Sequence, residues 1–252
     1  PWEPIGGYIP EGEASLEQYL QVMNASNIDG AVLVQPTPYG WDNSYLLACK
    51  HSDAEKLKAV VLVNPLDENA PGILKKLVED GADGLRINLH LQPVERWRTE
   101  HFNKLWQNCA QIKLPVCLQM TPAYLNFVME LVQTYYTKII IDHLGRPAKG
   151  ADPADTEFRR FLELSDYSHV YVKLSGLNYY SREGAPYSDT WDLLKAVKNT
   201  FGADRCLWGS DFPFVDEHWR YQDCLESFKT DLDFDQDELD WMLHKTAESI
   251  WW

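Results

Sequence analysis

A chain of 252 residues, 45% of them apolar, can enclose one large core, and an α/β barrel needs about this length. The formal charge of −15 excludes the basic footprint that nucleic acids and anionic membranes require, although a local arginine can still capture a small anion. No run approaches the ~20 unbroken apolar residues of a membrane span, and five cysteines without a C-x-x-C pair favour reduced thiols in a cytoplasmic protein.

The chain opens with a loop-like stretch (PWEPIGGYIPEGEA), and Pro1 in place of Met suggests a processed or trimmed start. Ser15 and Gln18 then form an S-x-x-Q capping box ahead of Leu16, Tyr19, Leu20 and Met23, which recur at helical spacing. From there short β-rich runs alternate with amphipathic segments. The runs are Gly30–Gln35, Leu57–Asn64, Gly84–Leu89, Leu114–Met120, Lys138–His143, Val170–Leu174 and Arg205–Gly209. Near-continuous apolar runs suit strands covered on both faces by helices. The helical segments are Ile73–Asp80 closed by Gly81, one marked by Phe102, Leu105, Trp106 and Cys109, and one by Tyr124, Phe127, Val128 and Leu131. Phe158, Phe161, Leu162 and Ser165 mark another, Trp191, Leu194, Val197 and Phe201 one ended by Gly202, and the last runs from about Asp237 to Ile250. The acidic run Asp231–Asp240 reads as a solvated loop and a helix N-terminus, with no metal site.

Alternation of this kind implies parallel strands with right-handed crossovers, and no glycine-rich phosphate loop follows an early strand. The expectation is one α/β domain over 1–252, a distorted (β/α)₈ TIM barrel whose first strand would lie before Pro1. Such barrels carry chemistry at the C-terminal ends of their strands. There the chain places Asp142-His143 and Ser210-Asp211, Arg86 with Asn88 and His90 on one face, Lys173 with Ser175 on another, and Gln119. A neutral imidazole beside a carboxylate supplies acid/base work or metal ligation. His143 could instead bond a backbone carbonyl, Asp211 cap a helix, and Arg86 pair with a core carboxylate. Otherwise Arg86 grips a substrate carboxylate or carbonyl. His51, His169, His218 and His244 read as surface or packing residues, and Tyr39, Trp41, Tyr179 and Tyr180 follow strand ends and could shape a pocket.

Together, DHLGRP at Asp142–Pro147, VKLSG at Val172–Gly176 and WGSDFP at Trp208–Pro213 resemble the amidohydrolase-2 branch of the amidohydrolase superfamily. Within it they are similar to the lactonase-like group of sugar-lactone and pyrone-dicarboxylate hydrolases. GYIP near the start, VLVQ, GLR and the closing TAESIWW extend the resemblance over the whole chain. It implies a hydrolase that opens a small-molecule lactone, with Asp211 as general base and His143 polarising the carbonyl. Arg86 and, more weakly, Tyr8 match substrate contacts, and Asn88, Gln119, Lys173, Ser175 and Arg182 are further substrate-binding candidates. His143 and Asp211 would hold one divalent metal, zinc or manganese, if one is bound; Gln119 stands where metal-dependent relatives often carry a histidine, and the group includes metal-free members. The family's first strand ends in H-x-H, a pair this sequence lacks. Two alternatives stay open: a metal-dependent non-oxidative decarboxylase of the same superfamily, and an inactive barrel. The aromatic content also permits a homodimer.

Overall fold

A computed structural model of the chain describes Ile5 and residues 14–252. Tyr8 and the GYIP tetrapeptide lie outside the described residues, as does the strand expected before Pro1. The chain forms two compact units, 1–117 and 118–252.

In the first unit, β1 (Ala31–Val34), β2 (Leu57–Leu62) and β3 (Gly84–Asn88) are parallel and pair in chain order, Ala31 opposite Leu57 and Val60 opposite Gly84. Helices alternate with them along the chain. The Ser15–Gln18 capping box forms and starts α1 (Leu16–Ala25), whose Met23 packs with Ala31 and Leu57. Next come α2 (Ser44–Ser52), which the sequence pattern did not announce, and α3 (Ala70–Glu79). The chain leaves α3 through Gly81 at φ +98, a conformation in which a Cβ would be strained. After the short α4 (Val94–Trp97), α5 (Glu100–Ile112) is capped by Thr99 and buries Phe102, Leu105, Trp106 and Cys109. Their three-and-four spacing is one helix face. The strand β4 (Val116–Gln119) spans the division in the chain.

In the second unit, α6 (Leu125–Thr134) precedes β5 (Ile139–Ile141), and α7 (Thr156–Leu162) precedes β6 (Val170–Leu174). α8 (Trp191–Phe201) leads to β7 (Cys206–Trp208). The three strands are parallel, Ile139 opposite Val170 and Val172 opposite Cys206. All three isoleucines of β5 are fully buried, as an apolar run covered on both faces requires. Beyond β7 follow α9 (Phe214–His218), α10 (Tyr221–Thr230), α11 (Gln236–Asp240) and α12 (Thr246–Trp251). The closing helix expected from Asp237 thus runs unbroken from Gln236 to Trp251, with a π-helical turn at Trp241–Lys245 within it. The acidic run does supply a helix start, with Asp235 and Glu238 forming a reciprocal cap. No described helix is long and apolar enough to cross a membrane, and all five cysteines are free thiols.

Candidate active site

The C-terminal ends of β5, β6 and β7 converge on His143. In an extended strand, residues two apart share a face and neighbours oppose each other. Lys173 and Ser175, at the end of β6, therefore point the same way, and each binds one of two consecutive residues after β5. The Lys173 ammonium lies 2.6 Å from Asp142 Oδ1, and Ser175 Oγ lies 2.8 Å from His143 Nδ1. Both partners can be met only if the chain leaves the extended conformation between them. It does so at once: His143, Leu144, Gly145 and Arg146 have φ of 53, 52, 71 and 53. Left-handed backbone costs roughly 1–2 kcal/mol for each L-residue, so the turn persists because these contacts hold it. Asp142 is 1% exposed and Lys173 15%, which makes their pair a buried anchor.

Asp211 follows β7, also with positive φ, and its carboxylate is aimed by a neighbour. The Tyr179 hydroxyl donates to Asp211 Oδ2 at 2.6 Å, while Oδ1 stands 3.9 Å from His143 Nε2. Tyr179 is held on three sides. The His143 ring meets it edge to face at 5.4 Å, and the Arg146 guanidinium lies 4.7 Å from its centroid. On the third side is Gly176 at φ +69, where a Cβ would stand 2.7 Å from both the tyrosine ring and His143 Nδ1. The next residue, Tyr180, is fully buried and donates to the Ser175 carbonyl at 3.2 Å. Burial, and then the Asp211 charge, push its pKa well above the ordinary phenol value. Asp211 also faces an apolar wall that includes Trp191, Trp208, Val215 and Trp219.

This arrangement can perform acid/base chemistry. A hydroxyl that donates to Nδ1 leaves the proton on Nε2, and an N–H facing a carboxylate is favourable where a lone pair would be repelled. Ser175 thus presents His143 as a hydrogen-bond donor toward the site, with Asp211 Oδ1 open to accept a proton. For a metal, His143 and Asp211 supply two ligands of suitable type. Among the described residues no third His, Cys, Asp or Glu joins them, and catalytic zinc takes three protein ligands. Among the described residues, therefore, His143 and Asp211 alone do not complete such a centre.

The remaining candidates occupy several places. Arg86 and Asn88 are on β3 of the first unit. Asn88 is 3% exposed, and neither atom of its amide has a hydrogen-bond partner among the described residues. Gln119 closes β4, half-buried. Arg182 is exposed; its backbone N–H donates to Asp189 and its guanidinium lies against Gly150. Of the other histidines, His51 bonds the Asp80 carbonyl, His169 the Val132 carbonyl, and His244 pairs with Glu248. Sequence reasoning named Tyr179 only as a pocket aromatic and gave Asp142 and Arg146 no role of their own. The signal present was their position inside or just after two strand-end motifs.

A family model described as amidohydrolase matches residues 6–251. A 4-sulfomuconolactone hydrolase from Rhizobium radiobacter is 30% identical over 208 residues, 82% of this chain and 68% of that protein. A crystal structure of a putative 2-pyrone-4,6-dicarboxylic acid hydrolase from Pseudomonas putida superposes with a TM-score of 0.86 at 27% identity, covering 97% of this chain and 90% of that one. A 2,6-dihydroxybenzoate decarboxylase from Rhizobium shares the fold more distantly, with a TM-score of 0.71 at 15% identity over 93% of this chain and 87% of that one. With strand-end motifs, site geometry and a family match over nearly its whole length in agreement, the chain belongs to the amidohydrolase family.

Proposed function

We infer that the protein is a lactone hydrolase in which Asp211 is the general base and His143 polarises the carbonyl. The observation that carries this is the Asp211 carboxylate, aimed by Tyr179 so that its second oxygen stands 3.9 Å from His143 Nε2. Asp211 takes a proton from water, the water oxygen attacks the lactone carbon, and the developing oxyanion is stabilised by the His143 N–H. The ring C–O bond then breaks to give a hydroxy acid. Ser175 and Lys173 act one step back, holding His143 and Asp142 in the turn.

Arg146 supports a substrate that carries an acidic group beside the lactone. It is half-buried, makes no ion pair among the described residues and is held over Tyr179. An unpaired guanidinium beside a site in a chain of charge −15 is suited to a carboxylate or sulfonate. This favours a carboxylated pyrone or muconolactone-type ring over a neutral sugar lactone. Arg86 and Asn88 on β3 and Gln119 at the end of β4 are proposed as further substrate contacts, with a single (β/α)₈ domain over 1–252 as the architecture of this reading.

The test is acid release from a panel of sugar lactones, pyrone dicarboxylates and muconolactones, with and without chelator. Asp211→Asn should lower turnover by about 10²–10⁴. Unchanged turnover in that variant would remove Asp211 from the role. Release of CO₂ without ring-opened acid would replace the reading by a decarboxylase, and the chelator arm decides whether a metal takes part.

A further inference from the structure

Lactone opening moves two protons at two places. One leaves the attacking water, and another must reach the ring oxygen as the C–O bond breaks; these oxygens are different substituents of the tetrahedral carbon. A lone carboxylate serving both would have to swing between them. Asp211 is not free to swing, because Oδ2 is held by the Tyr179 hydroxyl at 2.6 Å while Oδ1 faces His143. The two carboxylate oxygens therefore have separate neighbours, and the neighbour of Oδ2 is itself a proton donor.

Resting on the lactone-hydrolase reading above, we propose that Tyr179 is a catalytic residue that relays the proton from Asp211 to the leaving ring oxygen. Asp211 takes the water proton as the water oxygen bonds to the carbonyl carbon. The C–O bond to the ring oxygen then breaks, and its electron pair stays on that oxygen. Tyr179 gives its hydroxyl proton to the ring oxygen, and a solvent water carries the Asp211 proton from Oδ1 to the phenoxide left behind. Asp211 returns to the carboxylate and Tyr179 to the phenol. The products are the ring alcohol and the new carboxylic acid, which ionises in solvent, and the sum is lactone plus water.

Three features of the site suit Tyr179 to this. Its ring is fixed by Gly176 and His143, so its oxygen does not wander from Asp211. The Arg146 guanidinium against its face places positive charge beside a ring that briefly becomes negative. The adjacent Tyr180 lacks the role because its proton is committed to the Ser175 carbonyl.

Tyr179→Phe, which keeps the ring, tests the relay through its dependence on the leaving group. Aliphatic δ-lactones bearing a carboxylate expel an alkoxide that needs a proton, whereas dihydrocoumarin bearing a carboxylate expels a phenoxide that leaves unassisted. The variant should lose about 10²-fold or more in kcat on the aliphatic lactones and less than about 10-fold on the dihydrocoumarin. Both substrates are measured on one preparation, so the ratio does not depend on the folded fraction. Equal losses on the two classes would make Tyr179 a positioning residue and overturn the relay, as would full activity on both. A wild-type protein idle on every lactone would overturn the lactone reading and the relay together, an outcome distinct from active wild type with uniform losses.

Discussion

Two buried histidines sit at opposite ends of neighbouring strands in the second unit, and their surroundings differ. His143 follows β5, in left-handed backbone, bound to Ser175 and close to the Asp211 carboxylate. His169 precedes β6, bonds the Val132 carbonyl at 3.1 Å, and packs its ring 4.6 Å from Tyr136 and 6.2 Å from Tyr167. Its backbone carbonyl accepts from Ile139 and so opens the β5–β6 ladder. One end of this sheet is strained and polar, the other relaxed and satisfied by backbone and aromatic contacts. Strain is retained where it orients reactive groups, and the opposite end contributes stability.

The largest expected break of that contrast is Lys173→Met. It leaves the 1%-exposed Asp142 carboxylate without its ammonium, and removing one member of a buried pair typically costs about 3–5 kcal/mol. Chemical denaturation would read this directly; a loss below about 1 kcal/mol would mean that the pair does not anchor the turn. Activity should fall with it, because His143 depends on the same turn.

A smaller effect is expected from Gly176→Ala. Left-handed backbone alone costs an alanine about 1–2 kcal/mol, and the added methyl meets both Tyr179 and His143 at 2.7 Å. Turnover should therefore drop further than stability does. A variant with lowered melting temperature but intact kcat would show that the Tyr179–Asp211–His143 geometry tolerates displacement.

The smallest effect sharpens the contrast from the other end. Burial lowers the His169 pKa below its ordinary value, so below about pH 6.5 the unfolded chain binds a proton that the folded chain resists. The stability linked to this group is complete above that pH and declines as pH falls through it toward the lower folded value. His169→Gln, which keeps a donor for the Val132 carbonyl, should flatten the fall in melting temperature between pH 7.5 and 5.5. An equally steep fall in the variant would assign the pH dependence elsewhere.

Much of the scaffold was legible because its signals are local. The Ser15–Gln18 cap, the glycine stops at Gly81 and Gly202, and the three-and-four spacing of Phe102 to Cys109 all depend on residues within a few positions. The apolar run of β5 marked a covered strand for the same reason. Less legible were α2, whose buried Leu46, Leu47 and Cys49 make no clear stripe, and the π-helical turn within the closing helix. At the site, the strand-end positions of His143, Asp211 and Ser175 were legible, and the structure brings the three together. Lys173 was expected to face substrate, and the structure ties it to Asp142.

The sequence by itself determined the order of the seven strands, most of the helices between them, the Ser15–Gln18 cap and the strand-end motifs, since each is encoded in neighbouring residues. The tertiary structure alone decided which oxygen of Asp211 meets Tyr179, which nitrogen of His143 meets Ser175, and how one left-handed turn lets Asp142 and His143 both face β6. Those pairings join residues some thirty positions apart. Their geometry depends on strand register and backbone handedness, which emerge only when the three strands pack together.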